Sequence, residues 1–160
     1  MSSTADRAGI RIEPADARSD EARELVASYL SEITKTFGYD TTRAVPVTDE
    51  DFDPPNGRFL VVRDERGVAV GCGAVRMIAP DTAEVKRMWV SPAMRGRGAG
   101  WALLQALEAA ALSLGATTGV LDTNVTLTSA LALYRANGWQ EVEPYNDNAE
   151  ATHWFRKSLT

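Results

Sequence analysis

The chain has 160 residues and a mass of 17.3 kDa, with 44% hydrophobic and 24% charged residues and a net charge of −5. That length and balance suit one domain with its own core, and they exclude a collagen, a coiled coil and a wholly disordered chain. A sequence pI near 4.9 argues against binding a nucleic-acid backbone, and no apolar run approaches the roughly 20 residues of a membrane span. Cys72 and His153 are the single residues of their kinds. They are too few for a zinc site of the usual nitrogen and sulfur ligands or for a dithiol, so no metal is expected. The start, MSSTADRAGI, lacks the apolar core of a signal peptide, and the expected location is the cytoplasm.

Residues 1–8 are small and polar and are expected to be disordered, leaving 9–160 as a single domain. Ile10 to Glu13 alternate as a short strand does. A helix is expected from about Ser19, with Ala22, Leu25, Val26, Tyr29, Ile33 and Phe37 at helical spacing and Asp20 and Glu21 at its positive end. The stretch 38–57 is rich in Thr, Asp and Pro and reads as a loop with a short helical turn. Its acidic run 49–53 reads as solvated, with attraction of a cationic molecule as the sharper alternative. Arg58–Arg63 and Val68–Ile78 flank a DERG turn and predict a hairpin, and 83–90 (AEVKRMWV) a third strand of the meander. In that third strand Val85, Arg87 and Trp89 alternate with Glu84, Lys86 and Met88; neither set is cleanly apolar, so pattern leaves its faces open. A helix to about Leu114, a strand at 118–123, a short helix at 129–136 and strands at 139–145 and 152–159 complete the chain.

The chemistry concentrates in Arg95-Gly96-Arg97-Gly98-Ala99-Gly100, between a strand and a helix. Glycines let a ligand approach backbone N–H groups, and a helix N-terminus presents unpaired N–H groups and a positive dipole end. Together they suit a pyrophosphate, with Arg95 and Arg97 adding charge. Neither a Walker A lysine nor the third glycine of a dinucleotide motif is present, Trp101 standing at the latter position. A glycine-rich connection that binds nothing is the competing reading.

Three segments in order resemble the GNAT family of N-acetyltransferases: EVKRMWV, the loop Arg95-x-x-Gly98-x-Gly100, and ALALYRANGW with Tyr134, Gly138 and Trp139. The resemblance covers about Arg58 to Trp139. It implies an α/β (α+β) fold: a mixed, mostly antiparallel sheet with helices on both faces and its fourth and fifth strands splayed. It also implies acetyl-CoA as co-substrate, held by backbone groups of Met88, Trp89 and Val90 and by Arg95, Gly96, Arg97, Gly98, Ala99 and Gly100. Tyr134 would protonate the leaving thiolate. Glu84, beside the expected acetyl group, would be the base, with an ion pair to Lys86, Arg87 or a cross-strand arginine as the alternative. Tyr29, Asp122, Tyr145, Asn146 and His153 are weaker candidates to touch the acceptor. The expected acceptor is a small-molecule amine attacking directly in a ternary complex. Protein acetylation, or acyl-CoA binding without catalysis, is the alternative. A homodimer is implied by resemblance alone. One departure is Leu127, where many members have asparagine seven residues before the tyrosine; Asn124 lies out of register.

Overall fold

The computed structural model describes residues 9–43 and 47–160. The disorder expected of residues 1–8 lies outside them. In chain order the elements are β1 (Arg11–Ala15), α1 (Asp20–Lys35), β2 (Gly57–Arg63), β3 (Ala69–Ala79), β4 (Thr82–Val90), α2 (Ala99–Ser113), β5 (Thr118–Thr123), α3 (Thr128–Ala136), β6 (Gln140–Val142) and β7 (His153–Ser158). The strands form one sheet in the order β1-β2-β3-β4-β5-β7-β6. Neighbours run antiparallel except β4 and β5, which are joined through α2 and run parallel.

Strand alternation builds two cores. Leu60 and Val62 of β2 enter the cluster beneath α2, with Val75, Leu103, Leu107 and Phe155. Phe59 and Val61 face the other way, toward α1, with Leu25, Phe52, Cys72 and Ala74. Fully burying such aliphatic and aromatic side chains contributes about 1.5–3 kcal/mol each. The α2 packing is close: a Cβ on Gly73 of β3 would stand 2.8 Å from Leu107 Cδ1. Ser19 caps α1, its hydroxyl accepting from the Ala22 amide at 3.2 Å. Gly115, in the left-handed conformation, ends α2 with the Ala116 amide on the Ala111 carbonyl and the Gly115 amide on that of Leu112.

The undecided faces of β4 have a geometric cause. Cys72 and Ala74 of β3 oppose Trp89 and Lys86 of β4, so two steps on one strand meet three on the other. The extra residue is a bulge at Arg87, whose φ of 56° is the only positive value of a non-glycine among the described residues. Before the bulge, Ala83 and Val85 join the α2 core; after it, Met88 and Val90 do. No single alternation could describe a strand whose parity changes midway.

Two expectations are corrected. The strand expected at 139–145 stops at Val142, because Pro144 has no N–H for a ladder, and 143–152 turns back over the sheet. The acidic run is not a solvated loop. Asp49–Phe52 is a 3-10 turn with Phe52 buried, Asp51 paired with Arg76 at 2.8 Å, and Asp49 with Arg87 at 3.1 Å. Among the described residues no helix is long and apolar enough to cross a membrane.

Candidate functional site

β5 pairs with β4 only from Thr82 to Glu84, opposite Thr118 to Val120. Beyond that the strands diverge, and two adjoining cavities open around the fork. One, of about 380 Å³, runs along the free edge of β4 at Met88, Trp89 and Val90 to Arg95, Gly96, Gly98 and Gly100. The other, of about 460 Å³, lies between α1, β4 and β5 and is bordered by Tyr39, Val85, Lys86, Arg87 and Asp122. Tyr29, Ile33, Met88, Leu127, Ala130 and Tyr134 wall both.

The loop end of the first cavity presents open backbone. Gly96 and Gly98 adopt φ of 78° and 82°, and open space surrounds the position a Cβ would take on each. Gly98 is the N-cap of the 15-residue α2, whose first N–H groups face outward there. Arg95 borders the cavity, but its Nε donates to the Val90 carbonyl at 3.0 Å and its Nη2 to Glu32 of α1. Arg97 is exposed and Ala99 buried in the α2 core, so neither side chain borders the cavity. The backbone donors therefore suit a pyrophosphate with less arginine help than the sequence suggests. Glu32 also accepts from Trp89 Nε1 at 2.6 Å, tying α1 to β4 and to the loop. Those hydrogen bonds hold its carboxyl below the usual range, the one from Arg95 foremost.

Tyr134 stands where the cavities meet. It is buried against Trp139 and Phe155, with ring centroids 6.3 and 5.9 Å away. Its hydroxyl faces Met88 Sδ at 3.9 Å, a weak acceptor that leaves the proton available. Burial pushes its pKa up, helped by Tyr29 and the Asp122 charge, so it is a neutral donor at physiological pH.

Glu84 is 2% exposed and borders neither cavity. Arg76 Nε donates to it at 2.9 Å and the Tyr145 hydroxyl at 2.6 Å, while Lys86 Nζ stands 3.4 Å away. This is the ion-pair arrangement weighed against the base reading, with Arg76 as the cross-strand arginine. Asp122 does border the second cavity. It accepts from Asn146 Nδ2 at 2.6 Å, Asn148 Nδ2 at 3.1 Å and Lys86 Nζ at 3.3 Å. Asn146 in turn accepts from Trp154 Nε1 at 2.9 Å. Tyr145 and Asn146 thus brace the two carboxylates and border neither cavity. His153 also stands outside them, its Nδ1 2.7 Å from the Thr152 hydroxyl. Tyr29 does wall the site, and burial pushes its pKa up to about 12.

Lys86 and a cross-strand arginine were foreseen as partners of Glu84; sequence reasoning missed Asn148 as a member of this network and Glu32 as the anchor of Arg95. Each partner lies many residues away, so no local motif announces it. Asn124 is structural: it donates to the Glu150 carbonyl and accepts from Thr126.

Comparison with known proteins decides the family. The model of the GNAT acetyltransferase family matches residues 21–139. The chain belongs to the GNAT family. An uncharacterized N-acetyltransferase of Schizosaccharomyces pombe is 39% identical over 81% of this chain and 80% of its own. A Klebsiella pneumoniae structure, assigned by inference as an acyl-CoA N-acyltransferase, superposes with a TM-score of 0.77 at 28% identity. It covers 96% of this chain and 99% of that one. An Elizabethkingia anophelis GNAT acetyltransferase, solved with acetyl-CoA bound, gives 0.66 at 16% identity over 94% and 98%. The mixed sheet, the parallel β4–β5 pair and the fork are accordingly those of a GNAT enzyme, and the expected fold class and acyl-CoA-dependent N-acetyltransferase activity hold.

Proposed function

We propose that the chain acetylates the primary amine of a small molecule, the amine attacking directly while both substrates are bound. The observation that carries this reading is Tyr134 at the junction of two adjoining cavities. Acetyl-CoA supplies the activated acetyl thioester. The backbone of Arg95–Gly100 receives the pyrophosphate, and the free edge at Met88 and Val90 pairs with the pantetheine amides as an added strand does.

The second cavity receives the acceptor. Its walls come from α1, β4, β5 and the turn at Thr41 and Thr42, a concave frame of a size that suits a small molecule. Asp122 faces the ammonium. The ammonium first gives one proton to water; then, as the nitrogen–carbon bond forms and the carbon–sulfur bond breaks, Tyr134 gives its proton to the departing thiolate. The second proton, shed by the nitrogen once it is acylated, restores the Tyr134 hydroxyl. A cysteine acyl-enzyme is disfavoured. Cys72 is buried, borders neither cavity, and burial pushes its thiol up to about 12.

The test is thiol release from acetyl-CoA across a panel of small amines and lysine peptides, repeated with Tyr134→Phe. Turnover of a small amine, with kcat reduced about 100-fold and little change in acetyl-CoA KM in the variant, is expected. Unchanged kcat would remove the proton-donor role. Turnover of peptides alone would replace the small-molecule reading. Tight acetyl-CoA binding without turnover of any acceptor would favour a sensing domain.

A further inference from the structure

We infer that the acceptor carries a carboxylate beside its amine and an uncharged side chain, as an α-amino acid does. This rests on the second cavity being the acceptor site. The charged side chains bordering that cavity among the described residues are Lys86, Arg87 and Asp122, two cations and one anion. Lys86 and Asp122 lie two residues beyond the last β4–β5 pair, Glu84 opposite Val120, and their contact of 3.3 Å spans the opening fork. Asp122 is the one carboxylate that borders the cavity among the described residues. A polyamine or aminoglycoside would bring its further positive charges against Lys86 and Arg87, with no second carboxylate to receive them.

Both cations keep donors for an anion. The Lys86 ammonium has three N–H groups, with Glu84 and Asp122 as its neighbours at 3.4 and 3.3 Å. The Arg87 guanidinium has five, of which one faces Asp49 at 3.1 Å and one the Val47 carbonyl at 3.4 Å. The guanidinium is also held over the Phe52 ring, 5.1 Å from its centroid, so its direction is set before a ligand arrives. The bulge at Arg87 puts it and Lys86 side by side at the cavity edge, where unbroken alternation would send them to opposite faces. The rest of the border includes Tyr29, Tyr39, Val47 and Met88, which suit an apolar or aromatic side chain.

The experiment measures thiol release at saturating acetyl-CoA with phenylalanine, phenylalaninamide, phenethylamine and spermidine, using the full chain. The amide controls for basicity, because its amine is at least as readily neutral as that of the acid. Phenylalanine is expected to exceed both uncharged-carbon counterparts at least tenfold in kcat/KM, with spermidine poorest. In Arg87→Gln or Lys86→Gln that ratio is expected to fall toward one through the KM for phenylalanine. Equal or better turnover of the amide or of phenethylamine overturns the inference and leaves acetyl transfer to small amines standing. So does a preference for spermidine. Acetyl-CoA binding with no turnover of any of the four overturns the small-amine reading and the inference together. The comparison on the unaltered protein decides the matter even where a variant fails to fold.

Discussion

The two cavities that meet at Tyr134 are built on opposite principles. The loop side is made of backbone: left-handed glycines, a helix N-terminus and a strand edge without a partner. The second cavity is backed by side chains, with Lys86 and Asp122 at its border and Arg76, Glu84, Tyr145 and Asn146 behind them in one connected network. A backbone site recognises a group common to many ligands and is specified by a few residues close in sequence. A side-chain network recognises one shape and charge pattern, and its members come from distant segments. The first therefore tolerates little change within six residues, whereas the second spreads its dependence over about seventy.

Gly98→Val attacks the backbone side directly and carries the largest expected effect. At a φ of 82° a β-branched residue is strained, and its side chain enters the open face of the loop. Acetyl-CoA affinity measured by calorimetry should fall at least 100-fold while circular dichroism stays native. Unchanged affinity would reassign the loop. On the other side, Glu84→Gln leaves Arg76 and Lys86 facing a neutral group in a buried place. It should cost about 3 kcal/mol in chemical denaturation and leave the shape of the pH–rate profile intact. A profile that loses its acidic limb without loss of stability would restore Glu84 as the base.

A smaller effect concerns pH. Tyr29, Tyr39, Tyr134 and Tyr145 are all pushed above the ordinary tyrosine value of about 10, burial being the main cause for each. The unfolded chain ionises first, so this contribution to stability is complete below pH about 10 and is lost as pH rises toward the folded values, about 12 for Tyr29. Thermal melts from neutral to strongly alkaline pH, with tyrosinate absorbance followed in parallel, should show ionisation arriving with unfolding. Ionisation in a still-folded protein would mean the rings are more open than described. The smallest effect is expected of Glu32→Gln, which weakens the tie between α1 and Arg95 and should raise the KM for acetyl-CoA about threefold.

The same contrast explains what could be read beforehand. The glycine loop and the tyrosine helix are local, and their residues carry their own geometry, so the fold class and the loop were legible together. Tyr134 was legible as a candidate residue, but its position between the cavities was not. Glu84 was legible as a carboxylate on the right strand, yet its partners Arg76 and Tyr145 stand 8 and 61 residues away, and only the folded sheet brings them to it. Arg87 was invisible as a turning point because a bulge is set by register against the neighbouring strand, not by the residue that occupies it. The reversal after Val142 was not read from Pro144, nor were the contacts it brings to Asp122 of β5.

One turn of α1 reaches further than its length suggests. Tyr29 and Ile33, four residues apart, wall both cavities, and Glu32 between them grips the loop through Arg95. A molecule filling either cavity therefore presses on a surface that the other also uses. Thermodynamic reciprocity then links the two ligands: whatever factor one imposes on the affinity of the other is returned in equal measure. Titrating a small amine at several fixed concentrations of acetyl-CoA would give that factor.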